Sequence, residues 1–143
     1  MPDINLGIIG GGQLGSMLSV AAKKLNIKTT IYCDDVDAPA QYFCNDFIFG
    51  QYEDKDKIDK FVKKVDFITY EFENIPFKTL NEMNKFKPVL PKPSINRLIQ
   101  HRLAEKDFIN KLNIRTTRYV SIEKKNYIKA LKYFLPGILK ITT

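Results

Sequence analysis

The stretch "NLGIIGGGQLGSMLSVAAKKL" constrains the fold more than any other part of the chain. A short apolar strand, Asn5 to Ile9, runs directly into Gly10-x-Gly12-x-x-Gly15, and Met17, Leu18, Ala21, Ala22 and Leu25 follow at helical spacing. The unit is strand, glycine turn, helix. Glycines allow positive φ and close backbone approach, and the first amides of the helix, with its dipole, attract an anion.

The pattern then repeats. Lys28 to Cys33 is rich in β-branched residues and ends at Asp34 and Asp35, "APAQYFC" reads as a short helical turn, and "DFIFG" as a third short strand. "DKDKIDKFVKKV" puts Ile58, Phe61, Val62 and Val65 on one helical face before a strand from Asp66 to Tyr70. "FKTLNEMNKF" predicts an amphipathic helix with Phe77, Leu80, Met83 and Phe86 or its neighbours inward, and "PVLPKP" a brief strand held between prolines. Short strands alternating with helices predict an α/β fold, a parallel sheet covered on both faces and joined by right-handed crossovers. After Pro93 the character changes. Ser94 can cap a helix through "INRLIQ", and "RLAEKDFINKLNI" carries Leu103, Phe108, Ile109 and Leu112 toward a core. "RTTRYVSI" reads as a strand, "KKNYIKALKYF" as a helix, and "ILKITT", after Pro136-Gly137, as a final strand.

At 143 residues, 44% hydrophobic and 27% charged, the chain suits one ordinary domain with a real core and is too short for two full ones. No run approaches the roughly 18 to 20 apolar residues of a membrane helix. No basic leader precedes the first apolar run, so no membrane partner is expected and the chain reads as cytoplasmic. A formal charge of +7 invites a nucleic-acid reading. The lysines, however, are spread over presumed helix surfaces without an aromatic-interleaved stripe, so no nucleic-acid partner is expected. Cys33 and Cys44 share no CxxC spacing, and His101 is the one histidine that could join them. They read as reduced thiols, and no metal site is expected.

Two readings of the glycine turn stand side by side. Asp34 and Asp35 lie about where a dinucleotide fold places its ribose-binding carboxylate, which supports a nicotinamide-dependent oxidoreductase. A packing turn without ligand satisfies the same spacing. Gln13 at the helix mouth and the lack of a downstream nicotinamide site argue that the pocket takes a smaller anion. The second candidate stretch is "VDFITYEFENIP", where an apolar strand breaks off into Glu71, Phe72, Glu73, Asn74 and Pro76. Ligands of open parallel sheets gather outside the carboxyl ends of strands, so this acidic loop and the glycine turn are expected to face one crevice. Strand alternation would put Glu71 and Glu73 on one side and Phe72 in the core. Alternatively Glu71 is solvated and Asn74 caps the next helix, with Pro76 in its first turn. Lys140, in an apolar strand, needs an anion or a carboxylate, and a triphosphate is one such anion. Arg102, in "IQHRLAEK", reads more plainly as a surface arginine.

"GIIGGGQLGSML", "DFITYEFENIP", "HRLAEKDFINKLNIRT" and "PGILKIT", in this order and at these separations, resemble the amino-terminal part of the 5-(carboxyamino)imidazole ribonucleotide synthases. These are ATP-grasp enzymes of purine biosynthesis, and the resemblance covers essentially the whole chain. It implies a Rossmann-like pre-ATP-grasp domain over residues 1–112 and the first strand-helix-strand of an ATP-grasp domain over 113–143. The implied reaction uses ATP and bicarbonate to carboxylate the exocyclic amine of aminoimidazole ribonucleotide through carboxyphosphate, with Mg²⁺ at the phosphates. By the same resemblance Gly12, Gln13, Leu14 and Gly15 line the ribonucleotide side, Glu73 and Asn74 bound the same crevice, and Arg102 and Lys140 meet ATP. Ser16 stands where the family commonly has arginine, which implies weaker binding.

In the family a glycine-rich lid, an adenine-binding segment and the Mg²⁺ ligands follow the lysine strand, and none of these lies within the 143 residues. The expectation is that this polypeptide alone does not catalyse the carboxylation. Full-length members are often homodimers. A non-catalytic module completed by a second chain is a further alternative.

Overall fold

The computed structural model describes residues 3–123 and 131–142. They fall into two compact units, Met1–Arg97 and Leu98–Thr143. The first is built on four parallel strands, β1 (Asn5–Ile9), β2 (Lys28–Cys33), β3 (Asp46–Phe49) and β4 (Phe67–Tyr70), in the order β3-β2-β1-β4. Helix α1 (Gln13–Lys24) joins β1 to β2, and α2 (Lys55–Lys64) joins β3 to β4. A 3-10 turn at Pro39–Tyr42 and the helix α3 (Phe77–Met83) complete the layers, and α4 (Pro93–Ile99) follows. "PVLPKP" contributes a single parallel bridge, Ile68 with Val89, beyond β4. Each element expected from Asn5 to Met83 is present, and the α/β parallel architecture is as predicted.

Alternation along the strands sorts the core into two layers of different grain. On one face Ile9, Tyr32, Ile48 and Ile68 pack with Phe61, Val62 and Val65 around α2 and with Ile75, Leu80 and Met83 around α3. The Phe61 ring lies 5.4 Å from Tyr32. On the other face Ile8, Ile31 and Cys33 meet the small side chains of Ala38 and Ala40, with the partly buried Leu6, Cys44 and Phe47 packed against them. Helix α1 presents small residues inward: Gly15, Ser16, Ser19 and Ala22 are its buried positions. Its apolar stripe points out, with Met17 59% and Leu25 71% exposed. Helix α2 starts on a conventional cap, the Asp54 carboxylate accepting from the Lys57 amide at 3.1 Å, and its buried face is the one expected.

Two assignments in α3 and α4 differ from expectation. Phe86 is 68% exposed, because α3 ends at Met83 and the following residues leave the helical face. Ser94 does not cap α4, which already begins at the buried Pro93; proline suits a first helical position, where its missing N–H costs no intrahelical bond.

In the second unit, α5 (Arg102–Lys111) is capped by His101, whose Nδ1 accepts from the Ala104 amide at 3.2 Å. No residue of α5 is buried, so Leu103, Phe108, Ile109 and Leu112 do not reach the expected core. A helix buries its apolar stripe only against a second layer. Here the described neighbours are irregular: residues 114–123 and 137–142 form no strand, since neither segment finds a ladder partner. Most of the helix expected over "KKNYIKALKYF" lies outside the described residues.

Candidate functional site

The chain builds β1, β2 and β3 in one direction and then crosses back to add β4 on the other side of β1. The reversal falls between β1 and β4, and the carboxyl ends of strands at such a point are the place where open parallel sheets bind ligands. The glycine turn leaves β1 there, and the acidic loop leaves β4 beside it. Register fixes their juxtaposition: Ile9 pairs with Tyr70, and the Glu71 amide continues the ladder by donating to the Ile9 carbonyl at 3.1 Å. Gly10 is fixed from the opposite strand, its amide donating to the Tyr32 carbonyl at 2.9 Å.

Within the turn, Gly10 holds φ +106, a left-handed value that a side chain would strain. Gly15 allows α1 to lie against the turn, since a Cβ there would stand 2.6 Å from the Gly10 carbonyl oxygen. The Ser16 hydroxyl donates back to the Gly12 carbonyl at 3.1 Å. The amide of Gly12, the residue that precedes α1, is already engaged: it donates to the Glu71 carboxylate at 3.2 Å. The chain's own carboxylate thus lies against the turn where a small anion was expected.

The acidic loop is not a continuation of the strand. β4 stops at Tyr70, and the turn that follows sends Glu71 toward the glycines while Glu73 and Asn74 are exposed. Phe72 is not a core residue; Ile75, fully buried, anchors the loop in its place. Neither alternative reading of this segment fits, because Glu71 is hydrogen-bonded and the residue preceding α3 in the cap position is Pro76. Beneath the loop Asn96, fully buried, donates from Nδ2 to the Glu73 backbone carbonyl at 3.0 Å.

At the end of β2, Asp34 and Asp35 are exposed, and Asp35 accepts from the Asp37 amide at 2.9 Å. Burial pushes the Cys33 thiol up from its ordinary value. The Tyr52 hydroxyl is also pushed up, by burial first and then by Cys33 and Asp34 beside it. Both cysteines are free thiols.

Of the residues singled out from sequence, Gly12, Gln13, Leu14 and Gly15 form the entry to α1, with Gln13 and Leu14 exposed and Gly15 buried. Glu73 and Asn74 lie in the neighbouring loop. Arg102 and Lys140 belong to the second unit, both exposed, and the Arg102 amide donates to the Thr142 carbonyl at 2.9 Å, two residues from Lys140. Sequence reasoning did not find Asn96 or the inward role of Glu71. Strand register is the signal that would have placed Glu71, and a lone asparagine inside α4 carries none. Among the described residues no group of three histidine, cysteine, aspartate or glutamate side chains could hold a metal ion.

Residues 4–100 match the family of ribonucleotide synthetase preATP-grasp domains. The chain belongs to that family. It is 35% identical over 142 residues to the N5-carboxyaminoimidazole ribonucleotide synthase of Brucella melitensis, covering 98% of this chain and 39% of that one. It is 38% identical over 144 residues to a bifunctional purine synthesis protein, purC/E, of Dictyostelium discoideum, covering 99% of this chain and 14% of that protein. The crystal structure of N5-carboxyaminoimidazole synthetase from Staphylococcus aureus complexed with ADP superposes with a TM-score of 0.81 at 31% identity, over 91% of this chain and 36% of that one. The Aspergillus clavatus synthase in complex with ADP and 5-aminoimidazole ribonucleotide superposes with a TM-score of 0.72 at 26% identity, over 81% of this chain and 31% of that one. The preATP-grasp chain thus spans less than two fifths of the length of these relatives. No helix among its described residues is long and apolar enough to cross a membrane.

Proposed function

We propose that the crevice between the glycine turn and the acidic loop is the ribonucleotide side of an ATP-dependent carboxylation site, with aminoimidazole ribonucleotide as substrate. The observation that carries this reading is the placement of Gly12–Gly15 and Glu73–Asn74 at the carboxyl ends of adjacent strands, where the sheet reverses direction. Gln13 supplies an amide and Glu73 a carboxylate, partners for ribose hydroxyls and an exocyclic amine. Arg102 and Lys140 are the ATP residues in this proposal, as cations that offset phosphate charge. Residues 1–112 then form the pre-ATP-grasp domain and 113–143 the start of the ATP-grasp region.

In the reaction that the resemblance implies, bicarbonate attacks the γ-phosphorus of ATP and releases ADP. The substrate amine then attacks the carboxyl carbon of carboxyphosphate, loses a proton, and expels phosphate. The chain's own residues bind and orient the ribonucleotide; none is assigned a covalent or proton-transfer step. The 143-residue polypeptide by itself is expected to bind ribonucleotide without turnover. A cytoplasmic location and dimers of full-length members remain part of the proposal.

Isothermal titration of aminoimidazole ribonucleotide into the chain tests the reading. Glu73→Gln and Gln13→Ala should each weaken binding by about tenfold, equivalent to about 1.4 kcal/mol. Absence of ribonucleotide binding, or binding that neither substitution touches, would overturn it. Saturable NAD binding abolished by Asp34→Ala would favour the nicotinamide reading instead.

A further inference from the structure

A cleft of about 330 Å³ lies between α3 and residues 88–94, and none of its lining residues belongs to the glycine turn or the acidic loop. Helix α3 contributes Phe77, Asn81 and Asn84, which share one face at helical spacing beside the buried Leu80 and Met83. The facing wall is apolar, with Leu90 55% exposed between Pro88 and Pro93. Its volume is at the small end of ligand sites, which run from roughly 300 to 1,000 Å³, so it has room for side chains rather than for a cofactor.

Two observations say how an occupant would be held. The first is charge. None of the lining residues is acidic, and Lys92, Asn81 and Ser94 present donors. From Phe77 to Arg97 the chain carries five basic residues, Lys78, Lys85, Lys87, Lys92 and Arg97, and one acidic residue, Glu82, which Lys85 already pairs at 2.7 Å. The second is the sheet edge. Val89 bridges to Ile68 and turns its own N–H away from β4, and that amide donates to Asn84 Oδ1 at 3.0 Å. An added strand would find this donor taken, so the occupant is held by side chains and not by a ladder. A single-stranded nucleic acid would stack on a bare aromatic face. Phe77, the one aromatic residue of the lining, carries the Arg97 guanidinium over its ring at 5.1 Å.

We propose that this cleft docks an acidic polypeptide segment of a partner protein, an apolar side chain resting on Leu90 and Phe77 and a carboxylate meeting Lys92. The Lys92 ammonium gives that carboxylate a charge-assisted hydrogen bond, and the basic surroundings speed encounter and make it sensitive to salt. The proposal does not depend on the ribonucleotide reading above.

A blocked, fluorescent peptide of aspartates around a central leucine-phenylalanine pair, titrated with the 143-residue chain, tests the proposal by anisotropy. Binding should saturate, weaken as salt is raised, and fall by at least about tenfold with Lys92→Glu or Leu90→Asp. Both replace exposed side chains, so neither should disturb the fold. Lys24→Glu, the same charge change on α1, should leave affinity within about twofold. An equal loss there would show only the pull of a basic chain and would overturn the proposal. So would absence of saturable binding, indifference to Leu90→Asp, or tighter binding of a labelled oligouridylate that competes with the peptide, which would assign the cleft to nucleic acid instead. In amide spectra the peptide should shift Asn81, Asn84, Leu90 and Lys92 and leave Gly12 and Gln13 still. No ribonucleotide is present in these experiments, so their failure is distinguishable from failure of the functional reading.

Discussion

Asn96 donates from its side-chain nitrogen to the backbone carbonyl of Glu73 at 3.0 Å, while its own Oδ1, fully buried, meets no partner among the described residues. The bond ties α4 to the middle of the acidic loop through the donor side of the amide. Asn96→Ala should cost about 1–3 kcal/mol, the penalty of leaving a carbonyl unpaired less the relief of removing an orphaned acceptor. Urea unfolding measures the loss, and faster hydrogen exchange at Phe72–Asn74 should accompany it. Unchanged exchange there would mean that the loop is held by something other than Asn96.

Gly15→Ala sets two effects against each other. Alanine is favoured over glycine inside a helix by about 1 kcal/mol. The new Cβ, however, would stand 2.6 Å from the Gly10 carbonyl oxygen, a backbone atom that can yield only if the turn moves. Overpacking of this kind costs about 1–3 kcal/mol, so we expect net destabilisation and displaced amide resonances at Gly10–Gln13. A variant as stable as the parent would show that the turn has slack.

The outward stripe of α1 should be indifferent to charge. Met17→Lys and Leu25→Lys replace exposed side chains and should change unfolding stability by no more than about 0.5 kcal/mol. A loss above about 2 kcal/mol in the urea midpoint analysis would mean that this face is covered in solution.

Alkali should unfold the chain from its large-residue core. Burial first, then Asp54, Glu53 and Asp34, push the Tyr32 hydroxyl from 10.0 up to about 12. Its folded value lies above its unfolded one. The stability it contributes is therefore intact below pH 10 and is lost as pH climbs from 10 toward about 12, where the unfolded chain ionises first. Tyr52 is shifted the same way. Denaturant midpoints should fall across this window, and Tyr32→Phe should flatten the fall. A parent midpoint constant through the window would contradict it.

The strands and α2 were legible because their apolar residues have only one place to go. Ile8 and Ile9, or Ile31 and Tyr32, alternate between two covered faces, and Phe61, Val62 and Val65 form a single stripe. Helix α1 was legible as a helix but not in its orientation. Gly15, Ser19 and Ala22 recur with the same period as Leu14, Leu18, Ala21 and Leu25, and periodicity does not say which stripe faces in. Close approach of α1 to the glycine turn decided for the small one. The acidic loop is located by sequence, but strand alternation does not extend past Tyr70, where the strand ends, so Phe72 does not reach the core. In the second unit, strand composition at residues 114–123 did not suffice, since a strand exists only with a neighbour.

The crowding at Gly10 and Gly15 has a consequence for how this segment would answer saturation mutagenesis. Both positions are filled by neighbours before any ligand arrives, one by a carboxylate and the other by a carbonyl. A substitution map would show a plateau of intolerance across the turn even in a selection that asks only for folding. Recognition would emerge only in the difference between two maps, one scored on abundance and the other on ribonucleotide affinity, with Gln13 and Glu73 standing out in the second and the glycines dark in both.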